Sequence, residues 1–128
     1  KDSRVVLFVV PGAFTPTCSA KHLPGFVKLA DNFKAAGFDK IACMAVNDAH
    51  VMRAWAEASN AIGIIDMIAD FHTEMSDALG LTRDMGPIMG RRAARCAMVI
   101  DHGVVLSIFM EDPGAFEVSS AEHVLANL

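Results

Sequence analysis

The chain is expected to fold as an α/β protein, with a mainly parallel central sheet between helical layers and an antiparallel hairpin toward its C-terminus. Three observations carry that expectation. Residues 4–10 hold the uninterrupted run Val5-Val6-Leu7-Phe8-Val9-Val10, the pattern of a strand buried on both faces. Strand-like stretches then alternate with helix-periodic ones, which calls for parallel pairing through right-handed crossovers. Two further apolar stretches flank Asp101-His102-Gly103, the spacing of a tight hairpin.

Each element follows from its own residues. After the first strand, Pro11 and Gly12 punctuate a turn, and residues 18–36 carry helical spacing through Leu23, Phe26, Val27, Leu29, Ala30 and Phe33. Pro24 is expected to bend that helix, and Gly37 to end it as a C-cap. Residues 40–46 read as a second strand, followed by a helix through about Ser59 capped at Asn47-Asp48 and containing Trp55. Residues 62–69 read as a third strand, and Asp70 opens a shorter helix ending near Gly80. Residues 81–92, with Gly86-Pro87, read as loop. Residues 95–100 and 104–110 form the hairpin, and Ser119 or Ser120 caps a last helix with Glu122 in its first turn. The order βαβαβ, hairpin, helix is the thioredoxin-like three-layer sandwich.

Composition narrows the function. One domain accommodates 128 residues, and 53% hydrophobic with 20% charged residues supplies a substantial core. A formal charge of -4 lacks the basic footprint of a nucleic-acid binder, and no apolar run is long enough for a bilayer span, so neither nucleic acid nor membrane is expected as a partner. Three unevenly spaced cysteines form no Cys-x-x-Cys pair, disulfide framework or zinc set; no metal is expected. Such usage fits a reducing compartment, the cytoplasm or an organelle reached by way of a removed targeting segment. The chain opens on Lys1 and reaches a strand within a few residues, so it is expected to be a fragment or processed chain.

Cys18 is the candidate nucleophile. A buried strand, a Pro/Gly turn and a cysteine where a helix begins would bring free N–H groups and a positive dipole end to the sulfur. The thiol pKa there can fall well below about 8.5, giving a thiolate at neutral pH. Taken alone, such a cysteine is more often a packed small hydrophobe. Thr15 alone passes for a turn residue, Pro11 for a strand terminator, and Arg95, close to Arg91 and Arg92, for part of a solvated basic cluster.

The longer pattern outweighs these. Pro11-x-x-x-Thr15-x-x-Cys18 resembles the active-site motif of the peroxiredoxins, and the string PGAFTPTCSAKHLPGF (residues 11–26) is similar to that of their type II, or atypical two-cysteine, subfamily. AVNDAHVMRAW (45–55), GRRAARCAMVI (90–100) and the tail from Glu111 through Ser119-Ser120-Ala121-Glu122 fit in register. The resemblance implies a single redoxin domain over residues 1–128, without the family's usual N-terminal hairpin. It implies a thiol peroxidase acting on hydrogen peroxide and alkyl hydroperoxides, with no prosthetic cofactor and with glutathione, glutaredoxin or thioredoxin as external reductant. A homodimer is expected on the same ground.

The family pattern assigns roles. Cys18 attacks the O–O bond and becomes a sulfenic acid; Thr15 accepts from the peroxide and donates to the sulfur; Arg95 favours the thiolate and holds a peroxide oxygen; Pro11 limits water access. Cys43 matches the resolving cysteine of the plant branch and is the candidate resolver, against a buried packing role. The animal branch carries its resolver where this chain has Glu117-Val118-Ser119, so that variant is excluded. Cys96 follows Arg95 on a strand and is expected to face the opposite way, into the core. His22, four residues after Cys18, would share its helical face and reads as structural or at the rim rather than as a base.

Two other functions compete. A redox sensor or holdase-like protein would use Cys18 only to register oxidant, yet could dispense with Thr15 and Arg95. A thioredoxin-type oxidoreductase would need a second cysteine three residues from the first, where Thr15 stands.

Overall fold

The structure, a computed structural model, describes residues 4–12, 21–70, 74–84, 91–112 and 116–127. In chain order its elements are β1 (Arg4–Val9), α1 (Leu23–Lys28), α2 (Ala30–Ala35), β2 (Lys40–Ala45), α3 (Ala49–Ala58), β3 (Asp66–Ala69), α4 (Glu74–Ala78), β4 (Thr82–Asp84), β5 (Arg91–Ala93), β6 (Cys96–Asp101), β7 (Val104–Met110) and α5 (Ala121–Ala126). The main sheet has the order β3-β2-β1-β6-β7, with a separate β4-β5 ribbon. β1, β2 and β3 pair in parallel, β6 pairs antiparallel with β1, and β7 antiparallel with β6. Four of the five strands therefore share a direction, and β6 alone opposes them.

The uninterrupted apolar run of β1 is explained by burial on both sides. Val6, Phe8 and Val10 join one core with Leu23 and Phe26 of α1, Phe33 of α2, Trp55 of α3 and Val124 of α5. Leu7 and Val9 join the other, with Met44, Leu81, Ala93, Cys96 and Met98. Both β–α–β crossovers move the same way along the sheet, so their helices cover the same face.

Three helices end alike. Gly37, Asn60 and Gly80 have φ of +96°, +57° and +71°, and each donates to a carbonyl three residues back while the following residue donates five residues back. These are Schellman closures, with glycine or asparagine where the left-handed conformation is needed. At Gly37 the accompanying apolar contact is Phe38 edge-on to Phe33, ring centroids 5.7 Å apart. Asp48 caps α3 by accepting from Val51 N–H at 2.9 Å, and Ser120, rather than Ser119, caps α5 by accepting from His123 N–H at 3.2 Å. His102 and Gly103, both at positive φ, make the two-residue hairpin turn.

Three expectations are corrected. Residues 62–65 do not belong to a strand: Ile62 and Ile64 are exposed, and pairing starts at Asp66 opposite Ala42. The region 81–92 is not all loop, because Thr82, Arg83 and Asp84 pair with Ala93, Arg92 and Arg91. The helical stretch within 21–36 breaks at Leu29, between α1 and α2, whereas Pro24 sits in the first turn of α1, where its missing N–H costs nothing. No helix among the described residues is long and apolar enough to cross a membrane.

Candidate functional site

The C-terminal end of β1 gathers the pieces. Val9 pairs with Cys96 across the antiparallel contact, so β6 begins where β1 ends, and Arg95 stands one residue beyond that pair. Glu111, just past β7, donates its backbone N–H to the Arg95 carbonyl at 3.1 Å. The chain leaves this end of the sheet at Pro11 and Gly12 and is described again from Lys21, which with His22 leads into α1. Thr15 and Cys18 fall in residues 13–20, outside the described residues.

Arg95 and His22 meet. Arg95 Nη1 lies 2.8 Å from His22 Nδ1, and His22 Nε2 lies 2.9 Å from the Ser119 carbonyl oxygen. A carbonyl only accepts, so Nε2 carries the proton and Nδ1 accepts from the guanidinium. The imidazole has no exposure and is boxed by the rings of Phe8, Phe26 and Phe116 at centroid distances of 5.0, 5.7 and 5.0 Å. Burial first, and the Arg95 charge second, push its pKa down from 6.5 to about 3. His22 is thus a neutral, doubly bonded core side chain and not a rim residue. With its lone pair committed to Arg95 it has nothing to offer as a general base. The Phe116 ring also lies under the guanidinium, 5.9 Å from centroid to Cζ.

Ser119 is itself held. Its N–H and hydroxyl donate to Glu111 Oε2 at 2.8 and 2.7 Å, and Glu117 N–H donates to the same oxygen at 2.7 Å. Burial works to raise the Glu111 carboxyl, but the bonds from Ser119, Glu117 and Val118 outweigh it and hold it below the ordinary glutamate range. Pro11 is half-buried, and its carbonyl accepts from Arg92 Nη1 at 3.3 Å, tying the end of β1 to β5.

The other two cysteines are both fully buried. Cys43, in mid-β2 opposite Phe8 and Met67, faces the helical layer among Phe8, Leu23 and Trp55. Cys96 faces the opposite core, as the strand alternation requires, and burial pushes its thiol up to about 12 against a weaker lowering by Arg83. Sequence reasoning missed the Glu111–Ser119–His22 connection and the Arg92–Pro11 bond. No local pattern announces either.

Residues 1–125 match the Redoxin family. The chloroplastic peroxiredoxin-2E-2 of rice is 49% identical over 98% of this chain and 57% of its own length. Peroxiredoxin-2D of Arabidopsis thaliana is 42% identical over 98% of this chain and 78% of its own. This chain belongs to the peroxiredoxin family. The backbone agrees: reduced Prx3 of Vibrio vulnificus, solved in complex with hydrogen peroxide, superposes with a TM-score of 0.96 at 54% identity, covering 99% of this chain and 82% of that one. The redoxin chain spans little more than half of its rice relative.

Proposed function

We propose that this peroxiredoxin chain is a thiol-dependent peroxidase that reduces hydrogen peroxide and small alkyl hydroperoxides at Cys18. The observation that carries the reading is the anchored guanidinium of Arg95. It is held by a neutral His22 at the end of the sheet from which the Cys18-bearing segment departs. A fixed cation there lowers the cost of a thiolate and of the negative charge that spreads over sulfur and oxygen in the transition state. The Vibrio Prx3 holding hydrogen peroxide supports the same substrate class.

In the reaction the Cys18 thiolate attacks the outer oxygen of RO–OH. An S–O bond forms, the O–O bond breaks, sulfur is oxidised by two electrons, and the departing RO⁻ takes a proton to leave as alcohol or water. Thr15 orients the peroxide, Arg95 stabilises the charge, and Pro11 shields the sulfur. A thiol then condenses with the sulfenic acid, releasing water and leaving a disulfide. A second thiol displaces Cys18 from it. We assign both thiols to an external reductant, glutathione or a glutaredoxin- or thioredoxin-class protein, because Cys43 is fully covered by the helical layer. The family's chemistry needs no prosthetic group. Self-association into a homodimer belongs to this reading and is measured by light scattering.

Intact-mass spectrometry tests the assignment. One equivalent of peroxide adds one oxygen to the native chain and none to Cys18→Ser; a Cys18→Ser variant that still consumes peroxide refutes it.

A further inference from the structure

Glu111 closes a ring of hydrogen bonds on Arg95. Its backbone N–H donates to the Arg95 carbonyl at 3.1 Å. Its carboxylate accepts from the N–H and hydroxyl of Ser119 at 2.8 and 2.7 Å. The Ser119 carbonyl accepts from His22 Nε2 at 2.9 Å, and His22 Nδ1 accepts from Arg95 Nη1 at 2.8 Å. The path leaves Arg95 by its main chain and returns to its side chain. A guanidinium on a free arginine stem samples many rotamers; one tied into a closed circuit has its direction set relative to its own backbone.

We propose that Glu111 is a positioning residue for the peroxidase reaction, acting through Ser119 and His22 to fix where the Arg95 guanidinium points. The inference rests on the reading that Arg95 faces the peroxide at Cys18. Two features separate it from simple capping of the turn before α5. That cap is supplied independently by Ser120, whose hydroxyl accepts from His123 N–H. And His22, with both ring nitrogens engaged and no solvent contact, passes any shift of Ser119 directly to Arg95 rather than to water.

The experiment is a double-mutant cycle on the single-turnover rate of the reduced chain with hydrogen peroxide, using Glu111→Ala, His22→Ala and the pair. Loosening a charge-assisted contact predicts a loss of about tenfold for Glu111→Ala. The same loss is expected for His22→Ala, and the pair should lose no more than His22→Ala alone. Glu111→Gln, which keeps an acceptor oxygen, should recover most of the rate. Thermal unfolding accompanies each variant. If Glu111→Ala does not fold, Ser119→Ala, which deletes only the hydroxyl bond, is read in its place and should still slow the reaction. A native chain that reacts fast while the two losses multiply, or while Glu111→Ala and Ser119→Ala leave the rate unchanged, overturns this inference alone. A native chain that does not react faster than free cysteine overturns the peroxidase reading and the inference with it.

Discussion

Arg95 Nη1 and His22 Nδ1 stand 2.8 Å apart, joining the start of β6 to the helical turn that leads into α1 across 73 positions of sequence. A guanidinium is permanently charged, and here it donates to a neutral imidazole whose other nitrogen is committed to a carbonyl. The contact with His22 therefore holds the cation without adding a counter-charge of its own. A carboxylate in the place of His22 would cancel much of the guanidinium's field.

Replacing Arg95 by alanine removes the cation. The Cys18 thiol pKa should rise, and peroxide attack at pH 7 should slow by about two orders of magnitude, the usual effect of deleting one oriented donor. Arg95→Lys should not restore the rate, since an ammonium lacks the planar fork that serves His22 and substrate together. Thiolate absorbance against pH gives the first quantity and rapid mixing the second.

His22 makes stability depend on acidity in an unusual range. In the unfolded chain its imidazole takes a proton near 6.5, while in the folded chain it resists protonation down to about 3. Between those values the unfolded state binds more protons, so stability falls as pH falls. The loss should be on the order of 1 kcal/mol from pH 6.5 to 5.5. Glu111 adds a loss of the same sign further into acid, because its folded-state pKa is depressed. Denaturant unfolding at a series of pH values should show the decline beginning near 6.5 in the native chain and only in the carboxylate range in His22→Gln.

Cys43→Ala should leave both the first turnover and glutathione-supported cycling intact. Cys43 is fully buried in the core that holds Phe8, Leu23 and Trp55, so its thiol meets no partner in solution without local opening of the helical layer. Mass spectrometry after peroxide and glutathione should find a mixed disulfide on Cys18. A bridge between Cys18 and Cys43 would make Cys43 the resolving thiol.

Gly37→Ala tests the backbone separately from the chemistry. An added Cβ meets Arg4 Nη1 at an ordinary 3.6 Å, so the cost is that of holding alanine at φ +96°. A loss of about 1–2 kcal/mol in denaturant unfolding, with the peroxide rate unchanged, is expected.

Features set by a few adjacent residues were legible in the sequence. The run from Val5 to Val10 marked a doubly buried strand, Asp48 a helix start, and His102-Gly103 a hairpin. The alternation of Arg95 and Cys96 assigned them to opposite faces. Features set by distant pairing were not. β4 and β5 are three residues each and exist only through one another, so neither carries a period. Ile62 and Ile64 look like strand residues, yet the amides of Ile64 and Ile65 turn back to the Ala61 carbonyl and pairing with β2 starts only at Asp66. At the candidate site, Arg95 was named only through the family resemblance, and nothing near His22 in sequence identifies Ser119, 97 positions away, as the group that fixes its tautomer.

The central claim is that Cys18 is a thiolate primed to cleave an O–O bond, and stopped-flow mixing of the reduced chain with hydrogen peroxide at pH 7 measures it most directly. The account predicts a second-order rate constant orders of magnitude above that of free cysteine, lost in Cys18→Ser. A rate no greater than that of the free amino acid contradicts it.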